Sequence, residues 1–366
     1  MSVPPVRVPF NVLRPGNDRA AIDQAIARVI DSGWFVLGPE VAAFEAEFAA
    51  ASGAAHAVGV NTGTDALALA LRALDIGPGD EVITSPLSAA YSALAIDMAG
   101  ARPVFADIDP ERLTMDPAAA EAAITPHTRA IMPVHLYGQP ADMQRLSAIA
   151  ARHGLAVVED ACQAHLATHR GVPLGRGSAA AAYSFYPTKN LGALGDGGAV
   201  TTDDAALAER IKRLRNGGQV SRYHHDERGV NSRLDELQAA VLRAKLSDLV
   251  GRTVTRRCLA AEYRRRLHTP AVHVPREFDA GHVYHLFPVL VDQRDRFQAH
   301  MRAAGIETLI HYPVPIPRQP AASGWTPAQC PTADRVCASV VSLPLYPSLS
   351  ASALADVAAA VAAFPR

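Results

Sequence analysis

Apolar residues recur along the first part of the chain in two alternating periods. Residues 17–31 carry Ile22, Ala25, Ile26, Val29 and Ile30 at helical spacing, with Asn17 or Asp18 to cap the start and Ser32-Gly33 to stop it. Residues 40–51 repeat the pattern, with Val41, Phe44 and Phe48 on one face. Short apolar runs then alternate with helical ones. The pattern predicts strands at 57–60, 81–84, 102–106, 130–134 and 155–158. Between them it predicts a helix carrying Leu67, Leu71 and Leu74, and helices over 89–98, 117–124 and 142–153. Continuous apolar strands separated by amphipathic helices imply an α/β fold with a mostly parallel, doubly wound sheet covered on both faces.

A further strand is predicted at 199–202, and the chain then turns helical, over 205–214 and 235–249. From about residue 252 arginines accumulate (Arg252, Arg256, Arg257, Arg264, Arg265, Arg266), which reads as a solvated helix. An apolar run at 283–291, a helix at 295–304 and Thr308-Leu309-Ile310 suggest a smaller α+β domain, closed by an alanine-rich helix at 351–363. The expected division is a large domain over 1–250 and a small C-terminal one over 251–366.

Composition narrows the class. A chain of 366 residues, 49% hydrophobic and 19% charged, has the material for a large core. A net charge of −1 favours neither nucleic acid nor an anionic membrane as partner. The scattered Cys162, Cys258, Cys330 and Cys337 form no disulfide framework, and no signal peptide or membrane span is visible, so a cytoplasmic protein is expected.

The chemistry concentrates between residues 157 and 200. The strand at 155–158 runs into Glu159 and Asp160, and ligands of open α/β sheets bind outside the carboxyl ends of strands. Lys189 follows on a loop shaped by Pro187, Thr188, Gly192, Gly195, Gly197 and Gly198. An acid at a strand end and a lone lysine on a nearby loop are the parts of a pyridoxal 5′-phosphate (PLP) site. The lysine amine bonds the aldehyde as a Schiff base, and the acid keeps the pyridine nitrogen protonated so that the ring accepts electrons. Ser184 can offer a hydroxyl to the phosphate. Gly63-Thr64-Asp65, between a strand and a helix, can offer a helix N-terminus to it; the plainer reading makes Thr64 an N-cap. Two other patterns are set aside. Cys162 and His165 make a C-x-x-H without a second pair, so no metal is expected. Gly175-Arg176-Gly177-Ser178-Ala179-Ala180 matches a dinucleotide fingerprint, but Pro173 precedes it and a turn leading into a strand is the better reading.

Ordered blocks of sequence resemble the DegT/DnrJ/EryC1/StrS sugar aminotransferases over residues 35–347. The blocks are 33–40, 61–67, 135–139, 159–165, 184–190, 195–198, 229–235, 311–313 and 343–347. The resemblance implies an aspartate-aminotransferase-like, fold-type-I PLP enzyme. By it, Lys189 is the Schiff-base lysine and proton carrier, Asp160 pairs with the pyridine nitrogen, and Gln163 lies close to the ring. Gly63, Thr64 and Ser184 hold the phosphate. Asn231 reaches the phosphate of a neighbouring subunit, which implies a homodimer with shared sites, although the residue alone reads as an N-cap within its own subunit. His311 and Tyr312 contact a nucleotide-sugar substrate, and the amino donor is an amino acid such as glutamate. Lys189 disfavours the family's dehydratases, which carry histidine there. In Ser88-Ala89-Ala90-Tyr91-Ser92 alanine takes the slot where the family often stacks an aromatic ring, so Tyr91 or a smaller group must pack the cofactor. The expected activity is amination of a keto group at C3 or C4 of a nucleoside-diphosphate-linked sugar. The rivals are amination of a keto-cyclitol, a PLP-binding regulatory protein without turnover, and an α/β nucleotide-binding protein.

Overall fold

The computed structural model describes residues 5–365; residues 1–4 and 366, at the ends of the two expected domains, lie outside the described residues. Seven strands form the central sheet: β1 (His56–Val60), β2 (Glu81–Thr84), β3 (Arg102–Phe105), β4 (Thr128–Met132), β5 (Ala156–Asp160), β6 (Ala180–Ser184) and β7 (Gly198–Thr202). Their spatial order is β1-β7-β6-β5-β4-β2-β3. Strand β7 runs antiparallel to both neighbours, and every other neighbouring pair is parallel.

The helices around it are α1 (Arg19–Ser32), α2 (Pro39–Ser52), α3 (Gly63–Ala73), α4 (Tyr91–Met98), α5 (Pro117–Ala122), α6 (Met143–His153), α7 (Ala205–Leu214) and α8 (Glu236–Leu246). Successive strand side chains point to opposite faces, and the core divides accordingly. Val82, Ala130, Met132, Val158, Ala182 and Val200 face a cluster filled by Leu67 and Leu71 of α3, Ile96 of α4 and Ile211 of α7. Ile83, Ile131, Val157, Ala181 and Ala199 face the opposite cluster, with Phe44 and Phe48 of α2 and Leu146 of α6. There the rings of Phe44, Phe48, Tyr183 and Phe185 meet edge to face at 5.0–5.2 Å. Truncating the fully buried Phe48 to alanine would cost about 3–5 kcal/mol, at the end of β6 that leads into the Lys189 loop.

The main elements after α8 are α9 (Leu249–Arg266), β8 (Phe287–Leu290), α10 (Arg294–Ala303), α11 (Pro331–Ser339), β9 (Val340–Leu343) and α12 (Ala351–Ala362). Strands β8 and β9 pair antiparallel, and Val289, Phe297, Val341 and Val357 share a third cluster that also takes in Val8. None of the described helices is long and apolar enough to cross a membrane.

The doubly wound sheet is as expected; several boundaries are not. The helix expected over 235–249 is two helices, broken at Ser247 and Asp248, residues whose short polar side chains favour helix ends. Arg256 is no solvated residue: it is 5% exposed, and its guanidinium donates to the carbonyls of Tyr284, His285 and Leu345. The run 283–291 is a strand only from Phe287, because Val283 and Leu286 give their N–H groups to Gly138 and Tyr137 instead. Thr308-Leu309-Ile310 makes a single bridge, Leu309 to Ser342, and no strand. Pro133 has no N–H for a ladder, so β4 stops at Met132.

Candidate active site

Strand β5 delivers Asp160 to the carboxyl edge of the sheet, where it is 6% exposed. Its Oδ1 accepts the Cys162 N–H at 3.1 Å and its Oδ2 accepts the Ser92 hydroxyl at 2.7 Å. Glu159, one residue earlier, is spent elsewhere. It accepts from His135 Nε2 at 2.9 Å, from the Gly175 N–H at 3.0 Å and from the Ser178 hydroxyl. Those last contacts pin the 175–180 segment as a turn that feeds β6 and opens no helix, so the dinucleotide pattern is a coincidence of glycines.

Gly63 begins α3, and Thr62, not Thr64, is its N-cap: Thr62 Oγ1 accepts the Asp65 N–H at 3.0 Å. The plainer reading of Thr64 therefore falls, and its hydroxyl is left at the first turn of a helix whose N-terminus suits an anion. A Cβ on Gly63 would sit 2.7 Å from Ser184 Cβ and 2.8 Å from Cys162 Sγ. The start of α3, the end of β6 and the turn after Asp160 thus converge at one point. Ser184 accepts there from the Tyr186 N–H through Oγ at 3.3 Å and from His165 Nε2 through its carbonyl at 2.9 Å.

Lys189 is half-buried on the loop after β6. The loop is held from two directions. Lys245 Nζ and Gln238 Oε1 of α8 bind the Gly192 carbonyl and the Leu194 N–H. Asn190 donates to the Val283 carbonyl at 3.0 Å and faces His285 Nδ1 at 3.3 Å. Burial pushes the Lys189 ammonium below the usual lysine range, while Cys162 and Asp160 pull the other way. Burial also raises the Cys162 thiol well above its ordinary range, which keeps it neutral, so Asp160 is the anion that the lysine feels. Around the lysine, burial first and the lysine's charge second lower His165 to about 3 and His311 to about 4. His285 is lowered well below its ordinary value for the same two reasons.

Gln163 is fixed at both ends of its amide. Oε1 accepts the Tyr137 N–H at 2.8 Å, and Nε2 donates to the Tyr312 hydroxyl at 3.0 Å. Burial raises Tyr312 to about 12, so the phenol keeps its proton. The Tyr137 hydroxyl donates to the His311 carbonyl, and His311 Nδ1 meets Ser342 Oγ at 2.9 Å. Tyr91, the first residue of α4, is 62% exposed. Asn231 is exposed and bridges Asn216 through its backbone. Asp235 stands at the N-cap of α8, so Asn231 is not that helix's cap.

Asp160, Gln163, Ser184, Lys189, Gly63, Thr64, His311 and Tyr312 thus occupy one region at the carboxyl edge of the sheet, while Asn231 lies exposed on the segment that leads into α8. Sequence reading missed Ser92, Tyr137, Asn190 and His285, because each acts across a contact between distant segments. The converging helix start, the small hydroxyls, the buried acid and the desolvated lysine fit PLP. Gly63, Thr64 and Ser184 would hold its phosphate, Asp160 its pyridine nitrogen and Lys189 its aldehyde carbon.

Known proteins similar to this chain are aminotransferases and proteins named with them. A relative from Streptomyces venezuelae, named dTDP-3-amino-3,4,6-trideoxy-alpha-D-glucose transaminase, is 52% identical and covers 94% of this chain and 92% of its own. Another, from Saccharopolyspora erythraea, named erythromycin biosynthesis sensory transduction protein EryC1, is 51% identical over 94% of this chain and 95% of its own. Among solved structures, S. venezuelae DesV, described as in complex with a ketimine intermediate, superposes with a TM-score of 0.94 at 50% identity, covering 98% of both chains. The profile of the DegT/DnrJ/EryC1/StrS aminotransferase family matches residues 17–362, and the chain belongs to that family.

Proposed function

We propose that this aminotransferase moves an amino group from an amino acid, glutamate in the first instance, to a keto group of a nucleoside-diphosphate-linked deoxy sugar, with PLP as cofactor. The observation that carries the reading is the meeting of Asp160, the Gly63–Ser184 cradle and a desolvated Lys189 at one sheet edge. The named activity of the S. venezuelae relative supports a dTDP-sugar and amination at C3.

When bound, PLP supplies a ring that accepts the electron pair left on the reacting carbon. The chain's own groups do the rest. The N–H groups at the start of α3, Thr64 and Ser184 take the phosphate. Asp160 anchors the pyridine nitrogen. Lys189, whose ammonium burial holds below the usual lysine range, carries protons to and from the reacting carbon. Gln163 sets the direction of the Tyr312 hydroxyl: having accepted from Nε2, it has its own proton free to donate to a substrate oxygen.

We also infer a homodimer with shared sites. Trp34, Phe35, Tyr186, Leu194 and Val230 are exposed apolar residues around Asn231 and the lysine loop, and the Phe35 carbonyl accepts the Glu236 N–H. An apolar rim beside a polar site suits burial against a second copy.

The test loads the purified protein with PLP, adds glutamate and follows the visible absorbance, then offers dTDP-linked 3-keto and 4-keto sugars to the aminated enzyme. Bleaching by glutamate and recovery with a keto sugar support the reading. A visible band that glutamate leaves untouched would point to the regulatory role suggested by the name of the S. erythraea relative. Recovery with a keto-cyclitol alone would overturn the sugar assignment.

A further inference from the structure

Ser88, Ser92 and Asp160 form a chain of buried oxygens. Ser92 Oγ lies 2.7 Å from Asp160 Oδ2, and Ser88 Oγ lies 3.4 Å from Ser92 Oγ. Exposure is 4% for Ser88, 1% for Ser92 and 6% for Asp160, so water competes poorly for these bonds. Proton counting sets the direction. An ionised carboxylate has only acceptors, so Ser92 must donate to Asp160. The Ser92 lone pairs then face Ser88, and the Ser88 proton runs toward Ser92.

The two partners of Asp160 play different parts. The Cys162 N–H, two residues along the same turn, meets Oδ1 at 3.1 Å. One donor leaves the carboxylate plane free to turn, because the final torsion of an aspartate is broad. The Ser92 hydroxyl grips the other oxygen and comes from another element, the first turn of α4 after β2, with β4 lying between β2 and β5. An O–H donor to a carboxylate makes a short, charge-assisted bond, stronger than a neutral one. With both oxygens held, the carboxylate plane is fixed relative to the sheet edge.

We propose that Ser92 is a positioning residue for the reaction: its hydroxyl fixes the plane of the Asp160 carboxylate so that a remaining lone pair faces the pyridine nitrogen of PLP, with Ser88 orienting Ser92 in turn. This rests on the reading of Asp160 as the partner of that nitrogen. The role assigned to Ser92 runs through Asp160. A serine that merely satisfies its own buried hydroxyl would leave the cofactor nitrogen indifferent to its loss.

The experiment compares Ser92→Thr, which keeps the hydroxyl, with Ser92→Val, which has the same shape without it. Ser92→Ala serves as a smaller variant should the branched pair fold poorly. Each protein is loaded with PLP labelled with nitrogen-15 in the ring, and the nitrogen shift is read by NMR across the neutral pH range. The PLP dissociation constant is read by absorbance titration, and the glutamate half-reaction by stopped flow. Ser92→Val and Ser92→Ala are expected to move the ring nitrogen toward its unprotonated shift and to slow the half-reaction roughly 10- to 100-fold, the size of a lost hydrogen bond to a charged group. Ser92→Thr restores both, and Ser88→Ala shifts the nitrogen less, in the same direction. A Ser92→Val protein whose nitrogen shift and half-reaction match those of Ser92→Thr overturns the proposal and leaves the functional reading standing. A wild-type protein that binds no PLP overturns both.

Discussion

Glu159 and Asp160 are adjacent in β5 and serve opposite faces of the central sheet. Asp160 shares the face of Val158 and meets Ser92 of α4, while Glu159 shares the face of Val157 and ties His135 to Ser178. The strand's period of two separates the two adjacent carboxylates.

Exchanging each for its amide should therefore give opposite results. Asp160→Asn is expected to fold and bind PLP but to transaminate slower by orders of magnitude, because the anion facing the pyridine nitrogen is gone. Glu159→Gln is expected to lose about 1–3 kcal/mol of stability in urea unfolding, since an amide nitrogen cannot accept and one side, Ser178 or the pair His135 and Gly175, is left facing a donor. Its folded fraction should turn over normally. Near-normal turnover in Asp160→Asn would hand the role to another acid.

Lys189→Ala should fold yet take up no borohydride-reducible cofactor. In the wild type, reduction and peptide mapping should place the pyridoxyl group on Lys189. The alternatives have other work: Lys212 pairs with Glu209 at 2.6 Å, and Lys245 holds the Gly192 carbonyl at 2.6 Å. A label on either would refute the assignment.

The shared site predicts complementation. If each Asn231 serves the partner's phosphate, a hybrid of Lys189→Ala and Asn231→Asp subunits gathers both lesions in one site and leaves the other intact. Verified hybrids should regain up to about half of wild-type activity, one site of two. Verified hybrids without recovery would mean that Asn231 acts within its own subunit.

The histidines around Lys189 predict acid sensitivity of the cofactor-free protein. Folded His165 and His311 are held at about 3 and about 4, and His285 well below the ordinary range, so all three stay neutral on mild acidification. The unfolded chain takes up protons near pH 6.5, so their contribution is complete above that pH and is lost as pH falls below it. Each such histidine should add up to about 1.4 kcal/mol per pH unit to the decline. Urea unfolding at several values between about pH 7 and about pH 5, above the ordinary carboxylate range, measures it, and a flat profile would contradict the burial.

The sequence alone determined the sheet, because strands buried on both faces must be apolar throughout and their covering helices amphipathic; those are local signals. It also marked Asp160 and Lys189, through a strand end and a glycine-shaped loop. Local composition misjudged Arg256, because what buries a guanidinium is three carbonyls from segments far along the chain. It missed the strand boundary at Phe287 for a similar reason: the N–H groups of Val283 and Leu286 are claimed by the loop at 137–138. Thr64 looked like a cap until the backbone showed that Thr62 takes that place. Ser92 carries no mark in its own neighbourhood, and its meaning comes from a hydroxyl on α4 placed 2.7 Å from an acid on β5. Periodicity records which face a residue shows; which atoms meet there is decided by the register of strands and the docking of distant segments, and only the tertiary structure contains that.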